Sequence, residues 1–205
     1  MATSERRGDR RIQRTRQVLQ QTFRDAVSEK GFAATTIQEI AERANINRGT
    51  FYLHFADKYA LTDAVVREVF RQELERALPA TSGWDRRSLQ LLIQAVLDCL
   101  EHKYRHQPRP PFAFAEVAPL VERAMHTELT ELLLPWLKQA CRPKIREGAR
   151  LAIIARTVSW AIFGTALQWS QEQTAVPSPE VANMILLIVT EGVARLAPEV
   201  VPTTQ

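Results

Sequence analysis

One stretch, residues 35–61, limits what this chain can fold into more than any other, because it has the pattern of two short helices joined by a tight turn. Apolar residues at the spacing of a single helix face begin the stretch: Ile37, Ile40, Ala41 and Ala44. Thr36 and Glu39 form a capping box, in which each side chain binds the backbone of the other residue, so a helix is predicted over 36–44.

The turn and a second helix follow directly. Asn45 tolerates the left-handed backbone conformation that a tight turn between two helices requires. Asn47 is a favourable N-cap and predicts a second helix over 48–55. Phe51 and Phe55 lie four residues apart and are expected to face a small core. A short helix, a turn and another short helix are typical of a helix-turn-helix, whose second helix enters the major groove of DNA.

The rest of this second helix carries side chains that suit contact with DNA. Arg48 and Tyr52 share one side, Thr50 and His54 share another, and all four are expected to point outward. Gly49 destabilises a helix by roughly 1 kcal/mol relative to Ala, which is understandable if a phosphate or a base approaches the backbone there.

Lys58 stands in the first turn of the following helix, directly after the predicted N-cap Asp57. Its charge opposes the helix dipole there, so the helix N-terminus and the ammonium together are expected to hold a DNA phosphate. Tyr52, His54 and Lys58 taken singly are more often ordinary surface residues. The turn, the two caps and the localised charge together favour DNA binding.

Positive charge is concentrated in the first third of the chain. Residues 1–60 carry eleven Lys and Arg against seven Asp and Glu, whereas residues 61–205 carry sixteen of each. A localised basic patch attracts phosphate backbones or anionic membrane surfaces. The arginine-rich residues 1–10 are expected to form a disordered basic arm.

Helical periodicity extends over the remaining sequence, with few glycines and almost no strand-like alternation. The chain is therefore predicted to be all-α, with an N-terminal three-helix domain over 1–57 and a second helical domain over 58–205. About nine helices are expected, over 10–30, 36–44, 48–55, 58–78, 86–106, 112–123, 127–140, 147–171 and 179–196.

Several other protein classes are disfavoured. No apolar segment follows the basic start, so no signal peptide is expected. Residues 151–169 are long enough to cross a membrane, but Arg156 disfavours insertion, and a buried helix of a cytoplasmic protein is predicted. The two cysteines, Cys99 and Cys141, indicate a reducing compartment rather than a disulfide framework. The sequence has no glycine-rich phosphate loop, HExxH, CxxC or G-x-S-x-G motif, so neither an enzyme nor a cofactor is predicted.

The run TTIQEIAERANINRGTFYLHFADKYAL, at 35–61, resembles the DNA-binding signature of the TetR family of transcriptional regulators. Upstream positions resemble that family's first helix and the segment that leads from it to the second helix: Thr15–Leu19, Phe23, Gly31 and Phe32. Asn45 stands where the family usually has Gly, and Asn47 where Ser is common, but both are physically equivalent choices. The resemblance implies a homodimer on a pseudo-palindromic operator, released by a small-molecule effector, with repression as the default.

The resemblance also assigns roles to individual positions. The family's phosphate-contacting positions correspond to Thr36, Gly49, Tyr52, His54 and Lys58. Its base-reading positions correspond to Arg48, Asn47 and Thr50. Arg48 is the first candidate, because two hydrogen bonds from Arg to guanine form the commonest specific contact.

The second domain is expected to dimerise and to sense the ligand. The helix over 147–171 is apolar nearly all round and needs burial on two sides, so it and the helix over 179–196 are predicted to pair with those of a second subunit, a monomeric core being the alternative. Candidate pocket residues are Cys99, His102, Phe112, Phe114, Met125, His126 and Trp136. Cys99, His102 and His106 also have a spacing that suits metal binding, but no metal site is predicted.

One other function remains open. A DNA-binding architectural or interaction protein would share the first domain but would have a fully packed second domain and no small-molecule ligand.

Overall fold

The fold is described by a computed structural model that covers residues 2–104, 117–141, 148–172, 176–198 and 200, with side chains from residue 10 onward. These residues form helices and no strand, which confirms the predicted all-α class. The helices are α1 (Ala2–Lys30), α2 (Ile37–Arg43), α3 (Arg48–His54), α4 (Lys58–Ala77), α5 (Arg86–Tyr104), α6 (Ala118–Ala140), α7 (Gly148–Gln171) and α8 (Ser178–Leu196).

The described residues contain eight helices rather than the nine predicted, because α6 is continuous where two helices were expected. Neither Gly nor Pro lies between Arg123 and Thr127, so nothing in the backbone chemistry ends a helix there. Pro119 lies in the first turn of α6, where a missing N–H costs no intrahelical hydrogen bond, and Pro135 lies inside the helix. Residues 112–116 of the predicted helix lie outside the described residues.

α1 begins at Ala2, so residues 2–10 of the arm predicted to be disordered over residues 1–10 are helical instead. The segment has no proline, and its Ala, Arg and Glu residues favour helix formation. At the other end, the N–H of Gly31 donates to the carbonyl of Val27 at 2.9 Å, and Gly31 has a φ of 86°, which a side chain would oppose.

The chain divides into two compact units, and the division falls within α4, between Glu68 and Val69. The first unit contains α1, α2, α3, the beginning of α4 and the part of α6 up to Ala124. The second contains the rest of α4 and α6 together with α5, α7 and α8. The boundary therefore lies later than the predicted position before Lys58. The first turns of α4 are buried at Leu61 and Val65, so they belong to the first core.

The first unit packs α1, α2 and α3 against one another around a small apolar core. Its large buried apolar side chains include Leu19, Phe23, Phe32, Ile40, Phe51, Phe55 and Leu61. The rings of Phe23 and Phe32 meet edge to face, with centroids 6.4 Å apart.

In the second unit α5 packs against both α7 and α8. α7 buries ten residues, among them Phe163, Ala166 and Trp169. Among the described residues, α7 is also the one helix long and apolar enough to cross a membrane by length and composition. A core helix of a soluble protein meets the same criteria, so this is weak support for a membrane span.

Candidate nucleic-acid interface

The start of α2 is fixed by the predicted capping box. The hydroxyl of Thr36 accepts a hydrogen bond from the N–H of Glu39 at 3.2 Å. The Lys30 ammonium, which pairs with the Glu39 carboxylate, does most to lower the pKa of that carboxyl, and the N–H of Thr36 contributes to the same shift. The Thr36 half of the capping box is therefore present, and the ion pair ties the end of α1 to the start of α2.

The turn between α2 and α3 is a Schellman motif. Asn45 has a φ of 52°, in the left-handed region predicted for it. Its N–H donates to the carbonyl of Glu42 at 3.0 Å, and the N–H of Ile46 donates to the carbonyl of Ala41 at 2.9 Å. These two bonds close the end of α2 and set the direction in which the chain enters α3.

Asn47 caps α3, as predicted, and this cap also explains Gly49. The Asn47 Oδ1 accepts hydrogen bonds from the N–H of Thr50 at 2.7 Å and from its hydroxyl at 3.1 Å. A Cβ added to Gly49 would lie 3.1 Å from the same Oδ1, which is tighter than an ordinary contact. The missing side chain at Gly49 therefore leaves room for the cap, a reason that the sequence alone does not give.

α3 has one buried face and one exposed face. Phe51 is fully buried and Phe55, at the C-cap, is almost so, which confirms the predicted inward face. Arg48 is exposed, and its Nη2 lies 3.4 Å from the hydroxyl of Tyr52, which is 47% exposed. Leu53 is 84% exposed. Two of the positions expected to point outward, Thr50 and His54, are instead half-buried. They lie between the two faces, and the Thr50 hydroxyl is turned toward the cap.

Arg16 of α1 holds the C-terminal end of α3, a role that the sequence did not reveal. Its Nη1 donates to the carbonyl of His54 at 3.0 Å, and its guanidinium lies 4.5 Å from the centre of the Phe55 ring. Burial, and secondly the charge of Arg16, lower the pKa of His54, so the imidazole is neutral at pH 7. Any phosphate bound by His54 would therefore meet a neutral N–H donor.

Lys58 has partners within the first unit. Its Nζ donates to the carbonyls of Phe32 and Thr35, both at 2.8 Å, and lies 4.0 Å from the centre of the Phe32 ring. The ammonium thus anchors the loop between α1 and α2, and Asp57 caps α4 through the N–H of Ala60 at 2.7 Å. Lys58 also borders an open cleft whose lining includes Thr36, Gln38 and Arg48. Its contact with a phosphate stays a prediction.

The predicted pocket residues are spread over α5 and α6. Met125 and Trp136 are buried, His126 is half-buried, and His102 is exposed. Burial raises the pKa of the Cys99 thiol to about 11. His126 stacks on Trp160 of α7, with ring centroids 4.2 Å apart. Phe112, Phe114 and His106 lie outside the described residues. Within the described part of the chain, no cluster of His, Cys, Asp or Glu is arranged to hold a metal ion.

α7 and α8 leave large apolar side chains exposed. On α8 these are Met184, Leu187 and Ile188, at the spacing of a single helix face. On α7, Ile153 and Trp160 lie seven residues apart and are both more than half exposed. Exposed apolar side chains at this spacing mark a surface suited to protein–protein contact.

A family model described as bacterial regulatory proteins, tetR family, matches residues 24–65. The uncharacterized HTH-type transcriptional regulator YxbF of Bacillus subtilis is 37% identical over 79 residues, which are 38% of this chain and 21% of that protein. The HTH-type transcriptional regulator BetI of Escherichia coli O45:K1 is 31% identical over 84 residues, 41% of this chain and 43% of that protein. The chain spans only 12–51% of the length of the first three curated relatives that it matches.

Solved structures share the whole fold at low sequence identity. FadR of Thermus thermophilus, described as a TetR-family repressor in complex with lauroyl-CoA, is 21% identical with a TM-score of 0.53, covering 86% of this chain and 94% of that one. RolR in complex with resorcinol is 18% identical with a TM-score of 0.55, covering 96% of this chain and 100% of that one. Similarity at these identities shows the arrangement of helices.

Proposed function

We propose that this chain, whose residues 24–65 match the tetR family model, is a TetR-family transcriptional regulator that binds operator DNA as a homodimer. The observation that carries this proposal is the geometry of α3. The Asn47 cap and the Schellman turn before it fix this helix, Phe51 anchors its inner face, and Arg48, Tyr52 and Leu53 remain exposed on the rest. A short, rigidly held helix of this kind suits insertion into a major groove.

The DNA contacts are proposed from the exposure of α3 together with the family resemblance. Arg48 is proposed to read a base, and Asn47 and Thr50 stand beside it at the start of α3. Phosphate contacts are assigned to the predicted positions Thr36, Gly49, Tyr52, His54 and Lys58. The excess positive charge of residues 1–60 would add a contribution that does not depend on the DNA sequence.

A second copy of the chain is proposed to cover the apolar faces of α7 and α8. The exposed side chains of Met184, Leu187 and Ile188 would gain from burial, and pairing two short reading helices extends the DNA sequence that is recognised. Replacing Ile188, which is 68% exposed, by Glu should shift the protein toward monomers in light scattering. Ile12→Glu, at an exposed apolar residue of α1, serves as the control and should remain dimeric.

The proposal has two more specific parts. The second unit binds a small-molecule effector, and this binding releases the protein from an operator that it represses. The similarity in fold to FadR and RolR, whose structures contain lauroyl-CoA and resorcinol, supports an organic ligand of some kind. Such a regulator would work in the cytoplasm, where the DNA is. The alternative, a DNA-binding interaction protein without an effector, predicts that no compound raises the melting temperature. A ligand at 100 times its Kd would stabilise the protein by about 2.7 kcal/mol.

Selection of bound sequences from random double-stranded DNA tests the central claim. The purified full-length protein should enrich a site with twofold symmetry, and Arg48→Ala should relax the choice at one base pair in each half-site. Recovery of no enriched sequence would contradict the proposal, and an enriched site without symmetry would contradict the dimer.

A further inference from the structure

Leu53 is the most exposed large apolar side chain in the described part of the chain, and it lies on the helix proposed to read DNA. It follows the fully buried Phe51 by two residues, which is about 200° around a helix. Leu53 therefore stands nearly opposite the face that α3 packs into the core. On a helix that enters a groove, this is the side that faces the bases.

The residues that precede Leu53 on the outward side of α3 place no other large side chain beside it. Gly49, one turn earlier, has no side chain, and a Cβ placed there would meet only Asn47 within 4 Å. The hydroxyl of Thr50, three residues earlier, is bound to the Asn47 cap. Leu53 is thus the apolar projection on the outward surface, and Arg48 and Tyr52, which touch each other, lie together to one side of it.

The chemistry of leucine limits which base pair suits this position. Its side chain neither donates nor accepts a hydrogen bond, and the major-groove edge of a base pair offers one apolar group, the 5-methyl of thymine. Against a G·C pair, the leucine would cover hydrogen-bonding groups without pairing them, which is unfavourable.

We propose that Leu53 reads the 5-methyl group of a thymine, and so specifies an A·T pair, in each half-site of the operator. This inference rests on the proposed DNA-binding function and extends it from Arg48 to an apolar contact. The pair read by Leu53 should lie within the span of bases covered by α3, beside the pair read by Arg48.

Replacing thymine by uracil tests the inference, because it removes the methyl group and leaves the hydrogen-bonding edges unchanged. On the selected operator, each thymine of a half-site is replaced in turn, and the Kd is measured for the full-length wild type, Leu53→Ala and Val18→Ala. Val18 is a control of matched character, since it is an exposed aliphatic residue of α1 (41% exposed).

For the wild type and Val18→Ala, uracil at one position should weaken binding about fourfold, the equivalent of ~0.8 kcal/mol for one buried methyl group. Substitution in both half-sites should weaken it about 16-fold. Leu53→Ala should bind thymine and uracil at that position equally well. Because Leu53 is 84% exposed, the variant should keep the wild-type melting temperature, which verifies that it is folded.

The inference is overturned if no thymine is distinguished from uracil, if the distinction persists in Leu53→Ala, or if the operator has no A·T pair beneath α3. In each of these cases the protein still binds its operator, so the proposed function stands. Failure to select any DNA would instead overturn the proposed function, and the inference with it.

Discussion

The turn at Asn45 allows a sharp test of how backbone geometry stabilises the first unit. Asn45 is exposed and has a φ of 52°, and the Schellman bonds that surround it use backbone atoms only. Replacing Asn45 by Ala or by Gly therefore leaves those bonds and the core packing in place. The two variants differ chiefly in the cost of holding a Cβ in the left-handed region.

The expected difference follows from two opposing effects. A left-handed conformation costs an L-residue about 1–2 kcal/mol, and Gly avoids this cost. Gly also loses more conformational entropy on folding than Ala does, which reduces the stability advantage of the Gly variant by about 0.4–1 kcal/mol. The free energy of unfolding should therefore be about 1 kcal/mol lower for Asn45→Ala than for Asn45→Gly.

Urea unfolding followed by far-ultraviolet circular dichroism measures this difference, since both units are helical. The protein's four tryptophans all lie in the second unit, at residues 84, 136, 160 and 169, so tryptophan fluorescence provides an internal control. If the units unfold separately, the fluorescence transition should not move.

Glu42, an exposed residue of the right-handed helix α2, supplies the matched pair of control variants. There the order should reverse, with Glu42→Gly about 1 kcal/mol less stable than Glu42→Ala. Equal stability of the two Asn45 variants, or a more stable Asn45→Ala, would refute the reasoning about the turn.

Four further predictions concern single side chains. A Gly-to-Ala change in a helix usually stabilises a protein by roughly 1 kcal/mol, but Gly49→Ala should lack this gain because the new Cβ crowds Asn47. The gain should reappear when Gly49→Ala is made in an Asn47→Ala background, as measured by urea unfolding. Arg48→Ala should lose about 1–3 kcal/mol of discrimination at one base pair. Lys58→Ala should weaken binding to all operator variants, lower the salt slope by about 0.9 and also lower the melting temperature, since two carbonyls lose their donor. Titrations at two salt concentrations separate these variants, and identical behaviour would contradict the assignments. Finally, burial raises the pKa of Cys99 to about 11. In a Cys141→Ser background, Cys99 should therefore react with iodoacetamide at pH 8 roughly 100-fold more slowly than a thiol of pKa 9.0. Reaction at the rate of a free thiol would contradict its burial.

Lys58 shows how one residue can serve both the fold and the proposed contact with DNA. Its ammonium is held by two carbonyls of the loop before α2, yet it borders the cleft that also contains Thr36 and Arg48. A weaker affinity in Lys58→Ala could therefore reflect a displaced loop or a lost phosphate contact. The salt slope distinguishes the two causes, because only a lost phosphate contact changes the number of counterions released.

The sequence by itself determined the local geometry of the DNA-binding motif. The caps at Thr36 and Asn47 and the left-handed turn at Asn45 depend on partners within five residues, so their patterns are visible in the sequence and were predicted correctly. The all-α class follows for the same reason, because helical periodicity is a short-range property.

Only the tertiary structure decided which distant partners the side chains meet and how far Thr50 and His54 are buried. Arg16 reaches His54 across 38 residues and Lys58 reaches Phe32 across 26, and no local pattern encodes such contacts. The isolation of Leu53 likewise depends on how Phe51 seats α3 on the core and on how Asn47 holds Thr50. These features arise when helices pack together, which brings together residues whose separation in the sequence carries no periodic signal.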